Sequence, residues 1–79
     1  MELKILLFGI TKDIIGSSPH TLNMDGNTVA NLRRMLIEKY PKLAGLKSIL
    51  IAVNNEYADE ELVIKEGDEV ALIPPVSGG

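Results

Sequence analysis

The chain closes on Pro74-Pro75-Val76-Ser77-Gly78-Gly79, and its terminal glycines carry the clearest chemical possibility in the sequence. A terminal carboxylate on a tip without side chains can enter a narrow tunnel where any Cβ would collide with the walls. An active site in a second protein can then reach that carboxylate, activate it and use it as a handle. Pro74 and Pro75 fix φ and favour an extended, polyproline-like exit from the apolar run before them. From Pro75, four steps of ~3.4 Å carry the carboxylate out by roughly 14 Å. The plain alternative is a frayed terminus, because chain ends are commonly disordered.

No other constellation competes with the tail. His20 is the only histidine and the chain has no cysteine, so a metal set of these types cannot be assembled. His20 reads as an ordinary strand or surface residue. Ser17 and Ser18 have no evident base and read as loop. Asp59, Glu60 and Glu61 are contiguous carboxylates, which are usually just hydrated, and Gly67-Asp68 reads as a turn. A self-sufficient enzyme is not indicated, nor is a bound cofactor or metal.

Seventy-nine residues make one small domain, burying about 60% of its unfolded surface. A hydrophobic content of 46% supports a core without disulfides, which the absence of cysteine rules out. The net charge of −3 and the lack of a dense basic patch argue against nucleic acid as a partner. No apolar run approaches the roughly 18 residues of a membrane span, so a soluble, cytoplasmic chain is expected. Glu56, Asp59, Glu60, Glu61, Glu66, Asp68 and Glu69 crowd one stretch, expected to be a solvated hairpin face.

The elements that must position the tail follow from periodicity. Leu3, Ile5 and Leu7 alternate with Glu2, Lys4 and Leu6, a strand ended by Gly9. Thr11 to Ile15 suits a short helical turn closed by Gly16, and His20 to Met24 a second strand paired to the first. Thr28 caps a helix whose Val29, Leu32, Leu36 and Tyr40 form one apolar stripe, widened by Met35. Arg33, Arg34, Glu38 and Lys39 fall on its other side, and Pro41 stops it. A loop through Lys42-Leu43-Ala44-Gly45 leads to a strand over Ser48–Val53, turned by Asn54-Asn55 into a short edge strand at Tyr57-Ala58. Gly67-Asp68 turns into the last strand, Glu69 to Ile73, which the prolines end. The order predicts an α+β, β-grasp arrangement: a mixed sheet of four to five strands with one main helix packed across it. The first and last strands lie adjacent and parallel at its centre. Residues 1–75 form the domain and 76–79 a flexible tail.

Val53-Asn54-Asn55-Glu56-Tyr57, Leu62 and the run from Gly67-Asp68-Glu69-Val70 through Pro74-Pro75-Val76-Ser77-Gly78-Gly79 resemble the small subunit of molybdopterin synthase, a ubiquitin-like sulfur carrier. Leu7-Phe8-Gly9 and Ile14-Ile15-Gly16 resemble it too, although Gly9, Lys12 and Asp13 depart from its usual Phe-Ala and downstream Arg-Glu. The resemblance spans essentially the whole chain. It implies that a ubiquitin-activating-type, ATP-using enzyme adenylates the Gly79 carboxylate and that a sulfur donor displaces AMP to leave a thiocarboxylate. The tail, Pro74 to Gly78, would then enter a large catalytic subunit, where sulfur passes to a cyclic pterin phosphate precursor. It further implies a docking patch at Phe8, Tyr57 and Ile73, with Lys12 where the family has a basic residue. For Phe8, the only phenylalanine, core packing competes with docking. The same activated carboxylate could instead acylate lysines, as in a protein modifier, or feed thiamine or tRNA thiolation. An interaction domain with an inert tail is the remaining alternative.

Overall fold

A computed structural model describes residues 1–46 and 49–74. Its strands are β1 (Glu2–Leu7), β2 (His20–Asn23), β3 (Leu50–Val53), β4 (Glu56–Tyr57) and β5 (Val70–Ile73). Its helices are α1 (Ile10–Ile15) and α2 (Val29–Lys39), followed by a 3-10 helix over Pro41–Gly45. The five strands form one mixed sheet in the order β2-β1-β5-β3-β4. β1 and β5 are adjacent and parallel, with Ile5 beside Val70 and Leu7 beside Leu72. The expected α+β β-grasp is therefore present, with β5 at the sheet's centre and β1 next to it.

Period-two alternation decides which face is buried. Leu3, Ile5 and Leu7 of β1, Ile51 and Val53 of β3, and Val70 and Leu72 of β5 all point into the core. Val29, Leu32 and Leu36 of α2 close it from one side, together with Leu22, Met24, Leu43 and Ile64. The Thr28 side chain caps α2 by accepting from the Asn31 amide at 3.2 Å. The orphan amides of Val29 and Ala30 find the carbonyls of Leu62 and Glu60, both at 3.0 Å.

Two local expectations are corrected. Only Glu56 of the acid-rich stretch lies in a hairpin, the one joining β3 to β4; the rest forms turns over Asp59–Leu62, which meets the start of α2, and over Lys65–Asp68. Within it Ile64 is buried, while Leu62 and Val63 stay exposed. Its Glu60 and Leu62 carbonyls accept from the first amides of α2 instead of from a partner strand, and Val63 makes only an isolated bridge to Thr28. Residues 42 to 45 are not a loop but most of the 3-10 helix, which drives Leu43 into the core. Phe8 is 51% exposed, which settles the choice between core and surface.

Candidate functional site

Among the described residues no helix is assigned to the face of the sheet opposite α2, and the alternation that fills the core leaves a second set of side chains there. Leu6 of β1, Ala71 of β5, Ala52 of β3 and Tyr57 of β4 stand side by side in register across four strands. The two alanines make a low floor. Leu6 and Phe8 rise on one side and Tyr57 on the other, enclosing a groove of about 320 Å³ with Asn55, Glu69 and Ile73 at its rim. Tyr57 is 72% exposed and Ile73 half-buried, so the groove offers apolar surface to a partner.

Tyr57 is held by the turn before it. Asn54 and Asn55 have φ of 53° and 68°, the left-handed pair that a two-residue hairpin demands. The Asn54 amide donates to the Glu69 carbonyl at 2.7 Å, and its side-chain oxygen accepts from the Glu69 amide at 3.0 Å. Asp68 accepts from the Lys65 amide and from the Asn54 side chain. Those two donors, the Lys65 amide first, hold its carboxyl below its ordinary value.

β5 ends beside the turn that follows β1. Pro74, half-buried, follows β5 directly and lies against Gly9. The Thr11 hydroxyl donates to the Phe8 carbonyl at 2.5 Å and accepts from the Phe8 amide at 3.1 Å, closing the turn that carries both Phe8 and Gly9. Phe8, Tyr57 and Ile73 all line the one groove. Lys12 is not: it sits exposed on α1, away from the groove lining. Pro75, Val76, Ser77, Gly78 and Gly79 lie outside the described residues. Leu6, Ala52 and Ala71 were missed, although the alternation of Val70 and Leu72 against Ala71 and Ile73 held the signal.

Among the described residues no group of three or more His, Cys, Asp or Glu could hold a metal ion. No helix among them is long and apolar enough to cross a membrane.

The family model of the ThiS family matches residues 5–79. The molybdopterin synthase sulfur carrier subunit of Dictyostelium discoideum is 42% identical, covering 99% of this chain and 96% of that protein. Its counterpart from Haemophilus influenzae is 36% identical, covering 98% of this chain and 99% of its own. In structure, the small archaeal modifier SAMP1 from Haloferax volcanii superposes with a TM-score of 0.80 at 29% identity, over 100% of both chains. A chain in the complex of subunits 1 and 2 of the Helicobacter pylori molybdopterin-converting factor gives 0.65 at 30%, again over 100% of both. With a family match across nearly all its length and these identities, the chain belongs to the ThiS family, among the molybdopterin synthase sulfur carrier subunits.

Proposed function

We propose that this protein carries sulfur on Gly79 as the small subunit of a molybdopterin synthase. The observation that carries the reading is the exposed groove of Phe8, Tyr57 and Ile73, whose last lining residue, Ile73, directly precedes Pro74 and the Gly-Gly tail in sequence. An apolar groove beside the root lets one partner grip the domain and receive the tail together. Few residues then lose freedom on insertion.

The chemistry has three steps. The Gly79 carboxylate attacks the α-phosphate of ATP on a ubiquitin-activating-type enzyme, releasing pyrophosphate and leaving an acyl adenylate. Sulfide supplied by the sulfur donor attacks the acyl carbon and expels AMP, leaving a thiocarboxylate in which one oxygen is replaced by sulfur. In the large subunit that sulfur displaces an oxygen substituent from a carbon of the cyclic pterin phosphate, the oxygen leaving as water or as the freed phosphate ester oxygen, and water then cleaves the acyl–sulfur bond to restore the carboxylate. Adenylation is required because a carboxylate resists nucleophiles until it bears a leaving group. A dithiolene takes two such deliveries. The Helicobacter pylori relative, seen in complex with its subunit 2, supports a larger subunit as the partner.

The test is intact mass. Protein made with its activating enzyme, ATP and a sulfur source gains the mass of one oxygen-to-sulfur exchange, located at Gly79 by fragmentation. Absence of that species under competent conditions overturns the reading. Deletion of Gly79, or one residue added after it, abolishes transfer and leaves thermal unfolding unchanged.

A second reading has its own support, because SAMP1 is a modifier and superposes over the whole chain. It calls for Gly-Gly remnants on lysines of other proteins, joined through Gly79. A proteome in which none appears, with transfer to the pterin intact, dismisses it.

A further inference from the structure

The turn between β1 and α1 does more than expose Phe8. Gly9 sits there at φ +57° and ψ −135°, a backbone conformation that side-chain-bearing L-residues avoid. A Cβ built on Gly9 would meet the Cγ of Pro74 at 3.1 Å. Ordinary carbon contacts lie at about 3.5–4.0 Å, so the Pro74 ring rests in the space a side chain would need. Because the ring locks φ, Pro74 cannot rotate away from such an intrusion about that bond. The end of β5, or the chain after it, would have to shift instead.

A second observation comes from the same turn. Thr11 is fully buried, the one buried polar side chain among the described residues. Besides its two bonds to Phe8, its hydroxyl oxygen lies 3.5 Å from the Leu72 carbonyl, two residues before Pro74. One side chain therefore touches both the turn that bears Gly9 and the strand that bears Pro74.

We propose that Gly9 and Thr11 are positioning residues for the tail, Gly9 by seating the Pro74 ring and Thr11 by tying that seat to the end of β5. This rests on the tail being the reactive element, as proposed above. Phe8, gripped by a partner, and Pro74, the tail's root, then belong to one unit. Docking at the groove fixes where the tail starts relative to the partner's active site. Reacting atoms tolerate little misplacement, and a shift of about 1 Å can cost up to ~100-fold in rate.

The experiment uses the full chain and its G9A, P74A, G9A/P74A, T11V and T11S variants, each checked by thermal unfolding. Adenylation of Gly79 is followed by ATP–pyrophosphate exchange with the activating enzyme, with kcat and KM separated. In the wild type, an NOE joins the Gly9 Hα and Pro74 Hγ protons. G9A lowers kcat by about 10- to 100-fold while KM, governed by the groove, stays within about 3-fold. G9A/P74A performs no worse than P74A alone, because removing the ring removes the clash. Backbone strain alone would instead multiply the two losses, and that result overturns the role of Gly9. T11V lowers kcat and T11S restores it; equal kinetics for the two overturn the role of Thr11. Should G9A not fold, P74A and the Thr11 pair still decide, since a folded P74A with wild-type kcat refutes the seat. A wild-type chain that is never adenylated refutes the proposed function instead, and the NOE then reports on the seat alone.

Discussion

Ala52 and Ala71 face each other across β3 and β5, so the middle of the open sheet face rises no higher than two methyl groups. Leu6 flanks Ala71 on β1 and Tyr57 flanks Ala52 on β4, which turns that low centre into a groove. Filling the floor should block a partner without touching the core on the other side. Ala71→Tyr is expected to change stability by less than ~1 kcal/mol, as surface substitutions do. It should weaken binding of the large subunit by at least ~10-fold, about 1.4 kcal/mol. Calorimetric titration beside a thermal melt measures both; unaltered affinity would place the interface elsewhere.

The groove walls should carry more binding energy than the rim. Phe8→Ala and Tyr57→Ala should each cost about 2 kcal/mol of affinity, the scale of an aromatic hot spot. Both side chains are exposed in the free protein, so their loss leaves the fold intact. Lys12→Ala provides the contrast, because Lys12 does not line the groove. Its variant should bind as the wild type does, and a loss comparable to Phe8→Ala would move the interface onto α1.

Arg33 fastens α2 to two distant segments. Its Nη1 donates to the Ile49 carbonyl at 2.5 Å, and its Nε lies 2.7 Å from the Glu60 carboxylate. The alignment at Nε falls short of a hydrogen bond, so the Glu60 contact is ionic. A charged donor to a part-buried carbonyl is worth about 1.5–3 kcal/mol. Arg33→Ala should therefore cost about 2 kcal/mol, whereas Glu60→Gln, at an exposed carboxylate, should cost under ~1 kcal/mol. Urea unfolding of the two variants separates them; equal losses would mean that the ion pair, not the carbonyl bond, matters.

Arg33 also marks where sequence reading stops. Periodicity placed it with Arg34, Glu38 and Lys39 on the solvent side, because a helical wheel sees only its own helix. The turn that brings Glu60 to it comes from the far side of β3, and nothing local announces that approach. Elements with a strong period were legible: the alternation of Leu3, Ile5 and Leu7, the stripe of Val29, Leu32 and Leu36, and the parallel pairing of β1 with β5. At the site, the family resemblance pointed to Phe8, Tyr57 and Ile73, and position after a turn and before the tail added weight to Tyr57 and Ile73. The floor was not, since alanine is silent as a residue type and gains meaning only through register. The acid-rich stretch misled because its Asp59–Leu62 turn is specified by the α2 amides it caps, a tertiary relationship.

Leu43 extends the same lesson to stability. In sequence it stands among Lys42, Ala44 and Gly45 with no period to flag it, yet it is 1% exposed. The 3-10 helix that carries it follows Pro41 and packs on α2 and α1. Leu43→Ala should destabilise by about 2–5 kcal/mol, the range for a buried leucine truncated in a core. Leu50→Ala, at an exposed leucine on β3, should cost far less. Chemical denaturation is the measurement, and similar losses would remove Leu43 from the core.

His20 and Tyr40 supply the pH dependence. The rings meet edge to face at 5.8 Å, with Tyr40 Oη 3.4 Å from His20 Nε2, and Lys39 lies 5.9 Å from the centre of the tyrosine ring. Burial, and secondarily the Lys39 charge, push the His20 pKa below its ordinary 6.5. The unfolded chain therefore binds this proton more readily than the folded one, and stability rises with pH. The contribution is complete above the unfolded value near 6.5 and fades as pH falls from there toward the lower folded value. Asp68 acts in a separate window: its folded pKa lies below 3.8, so its contribution fades only as pH falls through that more acidic range. Melting temperatures of the wild type should thus drop between pH 7 and pH 5, and His20→Gln should flatten that segment of the curve. Lys39→Gln should shrink the drop without abolishing it, because burial is the larger cause. An undiminished drop in His20→Gln would assign the dependence to another group.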